Sequence, residues 1–386
     1  GFFPSVGLGW VISNESFFEP LTNVIQYLKV RGTWGQVGNS QISGRRFAYL
    51  ATVTDSSSTS YTFGKNMDQN YGTTAIDEYA VDVTWEVADK TDIGVDMRLL
   101  NNKLNLQFDY FKESREGIYL RRSSIPSYVG MINNPYGNIG KVENKGFELS
   151  VNYANSWGGD WSLSLMGNYS FNRNKVLEDD STVVYPWQNT IGNKVGQRFG
   201  LVALGLFESY GEIAASPVQT GDTRPGDIKY KDINGDGKID EYDKVPIGWG
   251  SVPEIMYGFG FSLGWKNLSL TAMFQGAAHV DAMLSGEGVL PFSQGSSRGN
   301  LLSNITDRWT EENPRQNAFY PRLSIGNINM NYEESTWWLK DTDYLRLKNI
   351  ELSYRLPDHW MKRIHLDNAR IFIQGVNLLT FSSFKI

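Results

Sequence analysis

Residues 91–111 read TDIGVDMRLLNNKLNLQFDYF, and two alternations face each other across Asn101 and Asn102. Ile93, Val95, Met97 and Leu99 fall on one side, with Gly94, Asp96 and Arg98 opposite. After Lys103, Leu104, Leu106, Phe108 and Tyr110 alternate with Asn105, Gln107 and Asp109. A period of two is the signature of a strand. Asn and Asp tolerate the left-handed backbone of a tight turn, so the stretch predicts an antiparallel hairpin.

The same pattern recurs outward from this hairpin. Phe147, Leu149, Val151 and Tyr153 alternate with polar residues, and after NSWGGD come Trp161, Leu163, Leu165, Tyr169 and Phe171 on one face. MYGFGFSLGW (256–265) and LSLTAMFQG (268–276) flank Lys266 and Asn267, with Tyr257, Phe259, Phe261, Leu263 and Trp265 sharing a side. Further strands are expected near 345–356 and 369–377. The fold class is therefore all-β and antiparallel.

Alternation alone fits two architectures. A soluble sandwich turns its apolar face to a second sheet; a transmembrane barrel turns it to lipid and the polar face to a wet interior. Many runs reach about 9 to 12 residues, enough to cross a bilayer obliquely. Trp10, Trp34, Trp161, Trp265 and Tyr354 stand near strand ends, as interfacial girdles require. Long tracts at 40–78, 173–198, 208–252 and 277–343 read as irregular loops opposite tight turns, the asymmetry of outer-membrane barrels. These features favour the barrel. The alternative is a soluble or surface-attached β-sandwich that binds glycans through Trp-bearing loops. On the barrel reading, Asn105, Gln107, Asp109, Asn168 and Gln275 line the inner wall.

Composition narrows the function. The 386 residues are 40% hydrophobic and 13% aromatic with a formal charge of −6, so no bulk attraction to nucleic acid exists. With no cysteine, thiol catalysis and Cys-based metal sites are excluded. His279, His359 and His365 are too scattered in sequence to suggest a metal cluster. No nucleophile elbow, phosphate loop or dinucleotide fingerprint is present, and no enzyme is expected. The opening GFFPSVGLGW lacks a signal-peptide pattern, and both ends read as cuts through a longer product.

One stretch carries metal-like spacing. In DINGDGKIDEYD, Asp232, Asn234, Asp236, the Lys238 carbonyl, Asp240 and Asp243 occupy places 1, 3, 5, 7, 9 and 12 of a calcium loop, with Gly237 at the sharp turn. Asp243 stands where Glu is usual, and flanking helices are not evident. Structural Ca2+ and a self-capped Asx-rich turn are both open readings. Trp187, Trp249 and Trp309 lie in expected loops and are candidates for ligand or partner contact. Trp337 and Trp338 offer flat faces to a sugar or, alternatively, begin a membrane girdle. The pairs Arg45–Arg46 and Arg121–Arg122 read as rim charge.

Several longer blocks then fall in order. SVGLGWVI (5–12), LKVRGTWGQVGN (28–39), DVTWEVADKTDIGVDMRLLNNKLNLQFDYF (82–111), NIGKVENKGFELSVNY (138–153), GDIKYKDINGDGKID (226–240), WWLKDTDYLRLKNIELSYRLP (337–357) and ARIFIQGVNLLTFS (369–382) together resemble the SusC/RagA family of TonB-linked outer-membrane proteins of Bacteroidetes. The resemblance spans essentially the whole chain. It implies the C-terminal part of a 22-stranded plugged barrel, with the plug and N-terminal domains absent from residues 1–386. It implies import of glycans or peptides across the bacterial outer membrane, driven by TonB through the missing N-terminal part. A SusD-like surface lipoprotein is the implied partner.

Overall fold

The structure, a computed structural model, describes residues 1–386 except 42–46, 68, 130, 132, 294–300, 327, 364 and 385–386. The chain forms two compact units. Residues 1–148, 172–183 and 189–195 make the first, and 149–171, 184–188 and 196–386 the second.

In the first unit the strands are β1 (Ser5–Val11), β2 (Ile25–Asn39), β3 (Thr52–Phe63), β4 (Gln69–Glu78), β5 (Glu86–Leu99) and β6 (Leu104–Arg121). β7 (Tyr136–Trp157) and β8 (Trp161–Glu178) give a segment to each unit. β1, β2, β5 and β6 are antiparallel neighbours in that order. The β5–β6 turn is tight because Leu100, Asn101 and Asn102 all adopt left-handed φ of 56–62°, costly for Leu but tolerated by Asn.

Register turns the alternation into a surface. Trp10, Val30, Val95 and Phe108 form one row, and Leu8, Gly32, Ile93 and Tyr110 the next. These side chains are open: Leu8 is 80% exposed and Ile93 52%. Higher on the same side of β6 the apolar band gives way to charge, as Lys112 pairs with Glu143 at 2.8 Å and Glu116 with Lys141 at 2.6 Å.

The tract 40–78 departs from the expected irregular loop. β3 and β4 pair as a long antiparallel hairpin. Its Ser- and Thr-rich strands lack the apolar contrast that periodicity detects, while β-branched Thr still suits an extended backbone.

The second unit's short strands are β9 (Arg198–Gly200), β10 (Ala203–Leu206), β11 (Val218–Gln219), β12 (Ile228–Tyr230), β13 (Lys238–Ile239) and β14 (Val245–Ile247). Long strands β15 (Ile255–Trp265) and β16 (Leu268–Ala278) follow, then short β17 (Asp281–Met283) and β18 (Leu339–Asp341), then long β19 (Tyr344–Arg355) and β20 (Arg370–Ser382). Among the described residues two short α-helices occur, α1 (Tyr210–Ala214) and α2 (Asp358–Arg363). β8, β15, β16, β19 and β20 are successive antiparallel neighbours.

Their apolar rows also align. Trp161, Trp265, Leu268, Tyr354 and Ile371 lie in register near the tight turns, and Tyr169, Tyr257, Gly276, Leu345 and Phe381 near the opposite end. Between Trp265 and Tyr257 lie eight strand steps, about 27 Å, which at the usual tilt crosses roughly 20 Å of membrane. The rows thus mark two aromatic edges of one apolar band. No helix among the described residues is long and apolar enough to cross a membrane.

The loops of this unit are not irregular either. β10 pairs with β12, β11 with β13, β14 with β9 and β17 with β18. Strands of two to four residues are too short to show a period in sequence.

Candidate functional site

Two surfaces could meet a solute: the polar faces of the sheets and the loop assembly of the second unit. On the first unit's polar face, Arg31 stands beside Gly94, which in turn faces Asp109 across the ladder. Its guanidinium reaches Asp92 at 3.0 Å, Asp96 at 3.6 Å and also Asp109. Glycine at 94 leaves room for this pair, because a Cβ would make the tips of both Arg31 and Asp109 shift. Gln107 donates to Asp109 at 3.2 Å, and Asn105 lies opposite Arg98. In the second unit Asn168, Gly258, Gln275 and Arg346 share a row. The expected wall residues therefore occupy the polar sides of their sheets.

The loop assembly has a core of its own. Leu201, Leu206, Ile228, Tyr230, Ile239, Trp309, Tyr320 and Trp338 are buried in one cluster. Its polar centre is Asp227, 1% exposed. Arg322 donates to it through Nε at 2.9 Å and Nη2 at 3.0 Å, Asn331 Nδ2 at 2.8 Å, Asn329 Nδ2 at 3.2 Å and the Arg224 amide at 2.8 Å. Asn331 in turn accepts from the Ile228 amide at 2.9 Å, and its carbonyl accepts from Trp338 Nε1 at 2.7 Å. A buried carboxylate is tolerable only when so fully paired. Sequence reasoning missed this centre; the only local hint is that Asp227 follows Gly226 in GDIKY. Burial pushes the Tyr230 phenol up, so it stays a neutral donor to the Met330 carbonyl at 2.9 Å. Burial also pushes the Lys340 ammonium down from its usual range.

The expected tryptophans separate. Trp309 and Trp338, 6% and 1% exposed, belong to this core, which corrects the expectation that they present faces to a ligand or form a girdle. Trp309 fits because Gly226 has no Cβ to strike its ring. Trp337 packs against the same core and donates to the Phe319 carbonyl at 3.3 Å, away from any girdle row. Trp187 stacks on Tyr185 with centroids 4.6 Å apart and donates to the Tyr242 carbonyl at 2.8 Å. Trp249, 42% exposed, lies parallel to the His279 ring at 4.0 Å. His279 is held at 3.0 Å from buried Glu254. These two sites remain open to solvent. Arg121 bonds Asn133 at 3.0 Å at the end of β6, and Arg45 and Arg46 lie outside the described residues.

DINGDGKIDEYD folds as linked Asx turns. Asp232 accepts from the Gly235 and Gly237 amides at 2.6 and 2.9 Å, Asn234 from Asp236 at 3.0 Å, and Asp236 from Lys238 at 2.9 Å. Asp240 accepts from Tyr242 at 2.8 Å, while fully buried Asp243 accepts from Ile233 at 2.7 Å and Asp240 at 2.9 Å. Among the described residues, no three His, Cys, Asp or Glu side chains are grouped to hold a metal. As arranged, both oxygens of Asp243 cap backbone amides, so the donor set does not converge on an ion.

An open apolar sheet face bounded by aromatic rows and backed by a polar face defines the wall of an outer-membrane β-barrel, not a sandwich, whose apolar face would pack on a second sheet. The chain belongs to the family described as TonB dependent receptor-like, beta-barrel, which matches residues 1–378. Its relatives include TonB-dependent receptor P3 of Formosa agariphila, 29% identical over 99% of this chain and 38% of that protein. TonB-dependent receptor SusC of Bacteroides thetaiotaomicron is 26% identical over 100% of this chain and 37% of its own length. A solved structure of the RagAB peptide transporter shares the fold, with a TM-score of 0.69 and 21% identity over 99% of this chain and 40% of that one. The chain is thus SusC/RagA-like and part of an outer-membrane protein, and it spans about two fifths of the length of the relatives it matches.

Proposed function

We propose that this chain supplies wall strands and external loops to a transporter that imports glycans or peptides across the outer membrane. TonB energises the uptake through parts outside this chain, and a SusD-like surface lipoprotein closes over the loops. The supporting observation is the membrane-type sheet face on a chain matched along nearly its whole length by SusC and other TonB-dependent receptors. RagAB is named a peptide transporter, which sets peptides beside glycans as substrate. No catalytic step is proposed. The test is uptake of labelled oligosaccharide and peptide mixtures by intact native cells. Uptake of at least one is expected to vanish on deletion of this gene and equally on deletion of TonB; uptake of both that survives either deletion overturns the reading.

Calcium binding by Asp232, Asn234, Asp236, the Lys238 carbonyl, Asp240 and Asp243 is proposed as a structural role only. Its support is the 1-3-5-7-9-12 spacing of hard oxygens around Gly237, whose φ is +83°. It requires Asp243 to leave the amides of Ile233 and Asp240. Calorimetric titration of the full-length protein with calcium chloride is expected to give one-site heat that disappears in an Asp232→Asn, Asp236→Asn double variant. Absence of heat at millimolar calcium overturns it.

A further inference from the structure

A cavity of about 290 Å³ opens in the second unit beside the turn Glu241–Asp243. Its accessible apolar lining comes from Ile328 and half-buried Met330, backed by the buried core residues Leu201 and Ile239. Ile328 forms an exposed rim. Its carbonyl lies against Gly221, which at φ +93° and without a Cβ leaves it room.

The charged wall is lopsided. Asp240, Glu241 and Glu333 bring three carboxylates, and Lys244 one ammonium. Lys244 Nζ lies 2.8 Å from Glu241 and 3.5 Å from Glu333. Asp240 accepts from the Tyr242 amide and the two glutamates share one ammonium, so the lining is net negative beside the apolar side chains of Ile328 and Met330. A neutral sugar has no cation to offer such a wall, and the volume sits at the low end for ligand pockets, which begin at about 300 Å³. An aliphatic stem with a cationic head meets both features, because such side chains lay their methylenes on apolar surface and keep the charge at its edge.

We propose that this cavity receives a lysine or arginine side chain of a peptide, with its stem over Ile328 and Met330 and its head between Glu241 and Glu333. The proposal rests on the import reading and selects peptides from its two substrate classes. Lys244 holds the two glutamates in place in the unloaded cavity and gives way as the ligand's cation enters.

The test uses the full-length protein in detergent with EDTA, and fluorescein-labelled Ala-Leu-Lys-Leu-Ala read by fluorescence anisotropy. The peptide with Glu in place of Lys is expected to bind at least about tenfold more weakly. Glu333→Gln should weaken the Lys peptide about fivefold and Lys244→Gln tighten it by a similar factor, the scale of partly exposed ion pairs. Equal binding of the two peptides, or indifference to Glu333→Gln, overturns the proposal, as does displacement by a neutral maltooligosaccharide at matched concentration. The two readings fail separately. TonB-dependent uptake with binding indifferent to Glu333→Gln leaves transport standing and removes this site; charge-selective binding without TonB-dependent uptake does the reverse.

Discussion

Five donors converge on the carboxylate of Asp227, and they come from segments as far apart as Arg224 and Asn331. One residue therefore ties two long connections together. Asp227→Asn keeps the shape but leaves Arg322 without its counter-charge, and breaking such a buried pair costs about 3–5 kcal/mol. Hydrogen exchange at the Ile228 and Tyr230 amides is expected to quicken by about two orders of magnitude or more, while β15 and β16 stay protected. Unchanged exchange would show that the pair is dispensable. Glu212 makes a smaller, pH-dependent contribution. The Glu208 amide at 2.7 Å, and then Lys229, hold its carboxyl below the usual range. With the folded value depressed, its contribution is present above the unfolded value and is lost as pH falls through the folded one. Exchange of the Glu208 amide, corrected for intrinsic pH dependence, should rise in that acid window and become flat with pH in Glu212→Gln.

At the scale of strands, the apolar rows make a sharp distinction between the two faces of β5. Val95 and Asp96 are neighbours in sequence on opposite sides of the sheet. Val95→Arg puts a charge in the lipid band and is expected to cost about 2–4 kcal/mol, whereas Asp96→Asn removes one of three carboxylates around Arg31 and should cost far less. Urea unfolding in detergent or lipid, with the two variants side by side, checks the difference; equal losses would mean that the face assignment is wrong. The same faces explain what could be read in advance. Long strands with strong contrast, such as Ile93 against Gly94 or Phe259 against Gly260, declared themselves, as did the turns at Asn101 and Lys266. The β3–β4 hairpin did not, because its Thr- and Ser-rich sequence leaves no apolar contrast. Nor did the loop core: whether Trp309 or Trp338 faces solvent depends on contacts with Gly226 and Asn331 that are distant in sequence. Trp187 and Trp249 lie at solvent-accessible positions in the structure, yet nothing in their local sequence distinguished them from the buried pair.

For the whole protein, the exposed band sets its solvent. Leu8, Ile93, Phe259, Ile373 and Leu379 stand open on sheet faces, and in water such an area would aggregate. The native product is expected in the outer-membrane fraction, extracted only by detergent and more slowly migrating in gels after boiling than before. A product that stays monomeric in detergent-free buffer would contradict the membrane assignment. Residues 1–386 contain no cysteine, so once any cysteine elsewhere in the full-length protein is replaced, a lipid-soluble maleimide should reach Phe259→Cys while a membrane-impermeant one does not.

The folded core of the loops has an immunological consequence. Because Ile228, Asn331 and Trp338 are brought together by folding and not by sequence, an antibody raised to the surface above them is expected to require the folded loops. Short synthetic peptides cut from these loops do not reproduce that surface. With the loops facing outward as proposed, exposed positions above this centre can change and alter antibody binding while the buried centre that shapes the surface stays the same.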